Sequence, residues 1–205
     1  MNSRLTNYHQ YREALTRLHR TIAALSALSP ALQRVVADLN LPVAADGTVP
    51  KAWRGAVFDQ AIRQGLLQSH RRRLRVAPDA PDALILAASE QARFRLMNVR
   101  AVIAGVGVSV VDGLRGQGFD LIDVGLARSA KPGVTLAGWV LVLPGLTMST
   151  GGLLGVSRAG LDAIGTSLRA GRLSGDRAVI EAQDIDAERE MAAELLRCIR
   201  QGSVA

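Results

Sequence analysis

Short apolar runs alternate with glycine-bearing turns in residues 101–143, which read AVIAGVGVSVVDGLRGQGFDLIDVGLARSAKPGVTLAGWVLVL. Residues 101–111 predict a strand, because valines at even positions alternate with small residues such as Gly105, Gly107 and Ser109. Residues 119–127 and 134–143 predict two more strands. Upstream, Phe94 and Leu96 alternate with arginines and open the same sheet. The stretch 93–150 therefore predicts the sheet around which the chain folds.

The connectors between these strands are short and contain glycine. Residues 113–118 read GLRGQG and residues 128–133 read RSAKPG. Such lengths favour antiparallel hairpins and leave no room for a crossover helix. We therefore expect an antiparallel β-meander.

Helical patterns flank the predicted sheet on both sides. Residues 5–28 carry an apolar stripe at heptad spacing, which predicts a helix that either docks on the protein's own core or dimerises. Ser29 and Pro30 are a helix-start signal, and residues 51–67 predict a further helix. Residues 153–168 and 186–201 predict C-terminal helices. The stripe of the first helix consists of Tyr8, Tyr11, Leu15, Leu18, Ile22 and Leu25.

The predicted architecture is α+β: a basic N-terminal helical module, an antiparallel β-meander module and a C-terminal helix. The proline-punctuated segment APDAPDA, residues 77–83, marks the expected boundary. Residues 1–28 form the first helix, residues 29–77 the basic module, and residues 84–205 the β-rich module.

The charge is distributed unevenly. Residues 1–77 contain 12 Lys and Arg against 4 acids, whereas residues 78–205 contain 13 against 14, so the net charge of +7 is confined to the first part. Arginine dominates this excess, with the run RRRLR at residues 71–75. Such asymmetry indicates a polyanionic partner, most often nucleic acid.

Helix, loop, helix and basic strand follow one another over residues 29–77. This order resembles a winged helix-turn-helix, and the resemblance implies DNA rather than RNA as the ligand. It also implies that the helix over residues 51–67 enters the major groove, with Gln60, Arg63 and Gln64 near base edges. The core-facing side of that helix would then carry Phe58, Ile62 and Leu66, with Trp53 and Gln60 opposite. The expected nucleic-acid contacts are Lys51, Arg54, Gln60, Arg63, Gln64, His70, Arg71, Arg72, Arg73 and Arg75.

Catalytic and cofactor patterns are weak. Asp112, Asp120 and Asp123 surround one predicted hairpin and would be the ligands if the protein were a magnesium-dependent nuclease, but turn-flanking roles explain the first two. Residues 150–157, TGGLLGVS, resemble the phosphate loop of short-chain dehydrogenases, yet too few residues follow to complete that fold. Cys198 is expected in the core. We expect no cofactor and no metal site.

The remaining expectations concern location and partners. A single cysteine excludes an intramolecular disulfide framework and favours a reducing cytoplasm. Residues 132–157 carry no charge, but Pro144 and several glycines argue against a membrane helix. We expect a cytoplasmic DNA-binding protein, possessing a regulatory or oligomerising β-rich module and no membrane partner. The alternative is a non-enzymatic scaffold that joins copies of itself or a larger complex.

Overall fold

A computed structural model describes residues 3–25, 30–44, 48–70, 81–173 and 185–202. The first helix, α1, is followed by α2, which begins at Pro30 as predicted, and by α3, which leads through a kink into the short α4. The helix α5 precedes the sheet, α6 lies within it, and α7 and α8 follow it. Their bounds are Ser3–Leu25, Pro30–Asp38, Lys51–Ala61, Leu67–His70, Pro81–Glu90, Val124–Ser129, Arg158–Arg169 and Ile185–Gln201.

Six strands form one sheet that closes on itself. They are β1 Arg93–Ile103, β2 Gly107–Asp112, β3 Gly118–Ile122, β4 Thr135–Leu143, β5 Leu146–Ser149 and β6 Leu154–Val156. Their order is β1-β2-β3-β5-β4-β6, and β1 also pairs with β4. The first five strands listed in that order therefore form a small closed barrel, to which β6 adds at β4. The protein is thus α+β, with C-terminal helices α7 and α8.

The strand predicted over residues 101–111 is instead parts of two strands joined by a turn. β1 ends at Ile103, and β2 begins at Gly107 and pairs antiparallel with it. Gly105 lies in the turn with φ +70°, a conformation that glycine adopts without steric cost. The alternation of valines continues on both sides of the turn, so the sequence pattern does not reveal where the turn lies.

The meander is only partly confirmed. β1, β2 and β3 are joined by antiparallel hairpins, as expected. The hairpin predicted between β3 and β4 is wrong, because β3 pairs in parallel with β5 and β4 pairs with β1. The strand predicted over residues 119–127 ends early for a local reason: the Asp123 carboxylate accepts hydrogen bonds from the backbone N–H groups of Gly125 and Leu126 and so caps α6.

One hydrophobic core joins the helices to the barrel. Tyr8, Leu15 and Ile22 of α1 are buried in the same cluster as Phe94 and Trp139 of the barrel. The described part of the apolar stripe of α1 thus packs inside the protein.

A second, smaller cluster contains only strand residues at its centre. Met97 and Val99 of β1 belong to it, whereas their neighbour Leu96 belongs to the larger cluster. This alternation is what a closed sheet requires, with one face lining its interior and the other facing the helices. The buried members of the cluster are Met97, Val99, Val108, Val110, Leu121, Leu136 and Val140.

The winged-helix arrangement is not confirmed. Its two helices are present, but the basic segment predicted as a strand, residues 68–76, begins within helix α4, and residues 71–76 lie outside the described residues. The predicted C-terminal helix over residues 186–201 is confirmed as α8. The helix predicted over residues 153–168 begins later, at Arg158, because residues 154–156 form β6.

Among the described residues, none of the helices combines the length and apolar character needed to cross a bilayer.

Candidate nucleic-acid interface and buried polar junction

The described basic residues of the N-terminal helices lie mostly on the surface. Six of the eight lysines and arginines described within residues 3–70 are exposed, while only two of the three described acids in that range are exposed. Arg17 forms a salt bridge of 2.7 Å with Asp82, and the Arg54 Nε donates to the Val49 carbonyl at 2.9 Å. The exposed basic residues are Arg4, Arg17, Arg20, Arg34, Lys51 and Arg54.

The helix predicted to read bases is oriented differently from the expectation. Phe58, Ile62 and Leu66 face the core as predicted, but Trp53 and Gln60 are also buried. The Gln60 amide Nε2 lies 3.5 Å from the Arg189 carbonyl of α8. The prediction that these residues share an exposed surface is wrong, because α8 and the barrel cover the side that periodicity alone leaves free.

Arg63 is buried as well, while Gln64 retains partial exposure. Both lie in a kinked π-helical segment, Ile62–Leu66, in which Gly65 has φ +106°. The kink has an identifiable cause, since glycine tolerates this backbone conformation. His70 ends α4, and its side chain, like Arg71, Arg72, Arg73 and Arg75, lies outside the described residues.

A buried polar junction joins the helices to the barrel around Asp59 of α3. Asp59 is 2% exposed and accepts hydrogen bonds from the Thr150 hydroxyl at 2.5 Å and the Gly152 backbone N–H at 3.1 Å. Burial raises the pKa of Asp59 to about 6, while its hydrogen bond from Thr150 and the charge of Arg63 act in the opposite direction. The loop after β5 is thereby tied to α3 by a carboxylate that is still ionised at neutral pH.

His19 of α1 belongs to the same junction. Its Nε2 lies 4.0 Å from the Asp59 Oδ1, and its ring contacts Phe58 edge-on at 5.3 Å. Burial lowers the pKa of His19 to about 4, and the charges of Arg63 and Arg12 contribute. At neutral pH the pair is therefore a neutral imidazole beside a carboxylate.

Asp123 links α1 to the barrel. The Arg12 Nη2 donates to Asp123 Oδ2 and to Ser149 Oγ, each at 3.2 Å, and the Ser149 hydroxyl donates to the same Asp123 oxygen at 2.7 Å. This arrangement explains why an acid interrupts an apolar strand: it caps α6 with one oxygen and receives α1 with the other.

A second network, the arginine–carboxylate network, fixes α8 to the start of β1. Glu188 of α8 is 5% exposed, accepts from the Phe94 backbone N–H at 2.9 Å, and forms a 3.0 Å salt bridge with Arg115. Arg95 and Arg115 both reach Asp112, at 3.0 and 3.4 Å. Burial lowers the pKa of Arg95, and the neighbouring positive charge of Arg115 adds to this.

The three aspartates considered as magnesium ligands do not meet. Asp112 is held by arginines, Asp123 caps a helix, and Asp120 is exposed. In the described part of the chain, no group of three or more histidine, cysteine or acidic side chains is placed to hold a metal ion. Cys198 is buried, as expected.

Sequence reasoning missed both the junction and the network. Each joins residues far apart in the chain, such as Asp59 and Thr150, and no spacing rule connects them. The available signal was weak but present: an isolated acid within an apolar segment, as at Asp59 and Asp123, needs a partner when it is buried.

Comparison with known proteins gives no matching family model, no similar curated protein and no similar solved structure.

Proposed function

We propose that this protein binds nucleic acid, DNA rather than RNA, through phosphate contacts made by exposed basic residues of its first 77 residues. The observation that carries the proposal is the excess of exposed cations: within the described part of residues 3–70, six basic side chains are exposed against the two acids Glu13 and Asp38. The four arginines at 71–75 add to this excess in the sequence. Guanidinium groups suit phosphate because their planar fork donates two hydrogen bonds at once.

The burial of Gln60 and Arg63 changes what kind of binding is proposed. Neither side chain presents its polar atoms to a partner at the surface, so they are left out of the proposed contacts. Contacts to phosphate position a protein on the duplex but carry no sequence information. The proposed binding is therefore largely independent of sequence and strongly dependent on salt.

The β-rich region then has the regulatory or oligomerising role. Residues of the barrel and of the N-terminal helices belong to one hydrophobic core, and this shared core supports an effect of one part on the other. Size-exclusion chromatography with light scattering, with and without DNA, measures whether the protein forms oligomers.

A charge-matched pair of variants of the full chain tests the DNA proposal. One variant replaces Arg71, Arg72, Arg73 and Arg75 with glutamine, and the control replaces four exposed arginines elsewhere: Arg100, Arg128, Arg158 and Arg169. Fluorescence anisotropy with a labelled duplex over a salt series gives affinity and slope. We expect the first variant to bind more weakly and to lose about one unit of salt slope for each phosphate contact removed.

The control variant loses the same charge but should bind nearly as the wild type does, because its four arginines lie outside the proposed contact region. Equal losses in the two variants would mean that net charge alone drives binding, with no defined surface. Unchanged binding by the first variant would refute its assignment to residues 71–75.

A further inference from the structure

Arg63 is a buried cation with no direct anionic partner among the described residues. The residue is 5% exposed, and among the described residues none accepts a hydrogen bond from its guanidinium or forms a salt bridge with it. Asp59 and Glu90 act on it electrostatically, but neither lies within the 4.0 Å of a salt bridge. Burial lowers the pKa of Arg63 to about 10, so the side chain stays cationic at neutral pH. A buried cation without a direct partner is costly.

A second unpartnered donor lies beside it. The Trp139 side chain is 2% exposed, and its indole Nε1 is buried without a hydrogen-bond partner among the described residues. The Arg63 guanidinium carbon lies 5.4 Å from the centre of the Trp139 ring, a cation–π contact that orders the two groups. Buried polar groups are normally satisfied, and here two unpaired donors lie side by side.

Arg63 and Trp139 both line one cavity of about 450 Å³. The cavity lies where the kinked end of α3, the end of α5, the start of β1, the middle of β4 and the start of α8 meet. Arg93, Arg95 and Arg189 also line it, together with the carboxylates Glu90 and Glu188. Salt bridges join Arg93 to Glu188 and Arg95 to Asp112, whereas no salt bridge among the described residues balances the charge of Arg63, and this unbalanced charge favours an anion.

The volume of the cavity and its lining residues indicate which class of ligand it could hold. A volume of 450 Å³ is within the range of small-molecule sites and exceeds what one inorganic anion fills. Val142, which is 66% exposed, and the alanines 88 and 92 provide apolar surface for the rest of the molecule. Arg63 also lies in a π-helical kink, a distortion that is frequent at functional sites.

We infer that this cavity binds a small organic anion, with the Arg63 guanidinium holding its phosphate or carboxylate group beside the Trp139 ring. This site goes beyond the proposed DNA binding, because it uses a buried arginine that a duplex phosphate does not reach. A ligand here would contact α3, α5, the barrel and α8 together, and so would stabilise the junction between the N-terminal helices and the barrel.

Three probes with the same aromatic ring test the inference: phenyl phosphate, benzoate and the uncharged benzamide. The readout is the indole N–H signal in two-dimensional NMR of the full chain. The protein has two tryptophans, and Trp53 does not line the cavity, so its signal is an internal control. We expect at least one of the two anions, at millimolar concentration, to shift the Trp139 signal and leave the Trp53 signal in place. Benzamide should shift neither signal.

The two anions distinguish phosphate from carboxylate as the preferred group. Arg63→Met should weaken binding of the preferred anion about tenfold or more, since a charge-assisted hydrogen bond is lost. Arg34→Met, which changes an exposed arginine outside the cavity, should leave binding unchanged. If Arg63→Met does not fold, Arg93→Gln serves in its place, with a smaller loss.

Failure of both anions to shift Trp139 in the wild type would overturn the inference, and so would equal shifts of both tryptophans. Retained affinity in the folded Arg63→Met variant would overturn it as well. None of these outcomes depends on DNA binding. Arg63→Met should leave the affinity for DNA unchanged, and the arginine variants at 71–75 should leave the Trp139 response unchanged.

Discussion

The exposed basic surface of the N-terminal helices and the buried contacts between those helices and the barrel use the same residue types in opposite ways. Arg54 and Arg63 lie about two and a half turns apart in one kinked helical stretch, yet Arg54 is exposed while Arg63 is only 5% exposed and contacts the Trp139 ring. Exposed arginines without fixed partners contribute little to stability and are available to bind. Buried ones have a large effect on the fold, because each needs an anion. The comparison teaches that charge counted along the sequence overstates the charge available to a partner.

The largest expected effect is the loss of Glu188. Glu188→Gln leaves the buried Arg115 with one fewer carboxylate and should lower the free energy of unfolding by about 3–5 kcal/mol, the usual result of breaking a buried charged pair. Urea unfolding followed by circular dichroism measures it. The control is Glu190→Gln on the same helix, where the side chain is exposed and the change should be small. Equal effects would show that the network does not fix α8.

The junction around Asp59 predicts two opposing pH dependences. The pKa of Asp59 is raised from 3.8 to about 6 in the fold, so the native state binds a proton more tightly, and this contribution to stability is lost as pH rises from about 4 to 6. The pKa of His19 is lowered from 6.5 to about 4, so its contribution is lost as pH falls through the same range. Each amounts to roughly 3 kcal/mol, at about 1.4 kcal/mol per pKa unit.

Single substitutions separate the pH dependence of Asp59 from that of His19. Asp59→Asn should lose stability more steeply than the wild type on acidification from pH 6.5 to 4, because only the histidine dependence remains. His19→Gln should instead become more stable over that range. Free energies of unfolding at several pH values provide the test, and parallel pH profiles for the wild type and both variants would contradict the assigned shifts.

A smaller effect is expected where α3 meets the loop after β5. A Cβ added at Gly55 would lie 2.8 Å from the Gly152 Cα, which is a backbone atom that cannot move aside easily. Gly55→Ala should therefore destabilise the protein by about 1–3 kcal/mol, although alanine favours helices. Gly155→Ala is the matched control, since a Cβ there meets nothing within 4 Å. Thermal unfolding measures the stability of both variants. A Gly55→Ala variant more stable than the wild type would contradict the close contact between position 55 and the Gly152 backbone.

The smallest effect on stability is expected at the exposed surface. Replacing Arg20 and Arg34 with glutamine should change the free energy of unfolding by less than about 0.5 kcal/mol, since both side chains are exposed. The same double variant should weaken DNA binding measurably at low salt. A large loss of stability would mean that these arginines belong with the buried contacts and not with the surface.

Local patterns in the sequence predicted much of the fold. The helix α8 and the strand β4 were located within one residue at each end, because their periodicity is unbroken. Closure of the sheet was not predicted, since the pairing of β1 with β4 joins residues about 40 apart, and no local rule specifies it. The turn at Gly105 was missed because alternating valines continue on both sides of it.

The candidate site was less predictable than the fold. Exposure of Arg54 follows from its charge, since arginine is rarely buried without a partner, but burial of Gln60 and Arg63 depends on α8 and the barrel, which come later in the chain. The hydrogen bonds of Asp59 to Thr150 and Gly152 connect positions more than 90 residues apart. Such contacts are properties of the tertiary structure, so helix periodicity assigned these polar side chains to the solvent.

The most direct test of the central claim is the affinity of the wild-type full chain for two duplexes of unrelated sequence over a salt series. We expect the logarithm of the binding constant to fall linearly with the logarithm of salt concentration, with a slope of about −0.9 for each phosphate contacted and nearly the same line for both duplexes. An affinity that does not change with salt, or no binding at low salt, would contradict the claim that exposed basic residues bind nucleic acid. A strong preference for one duplex would contradict binding through phosphates alone.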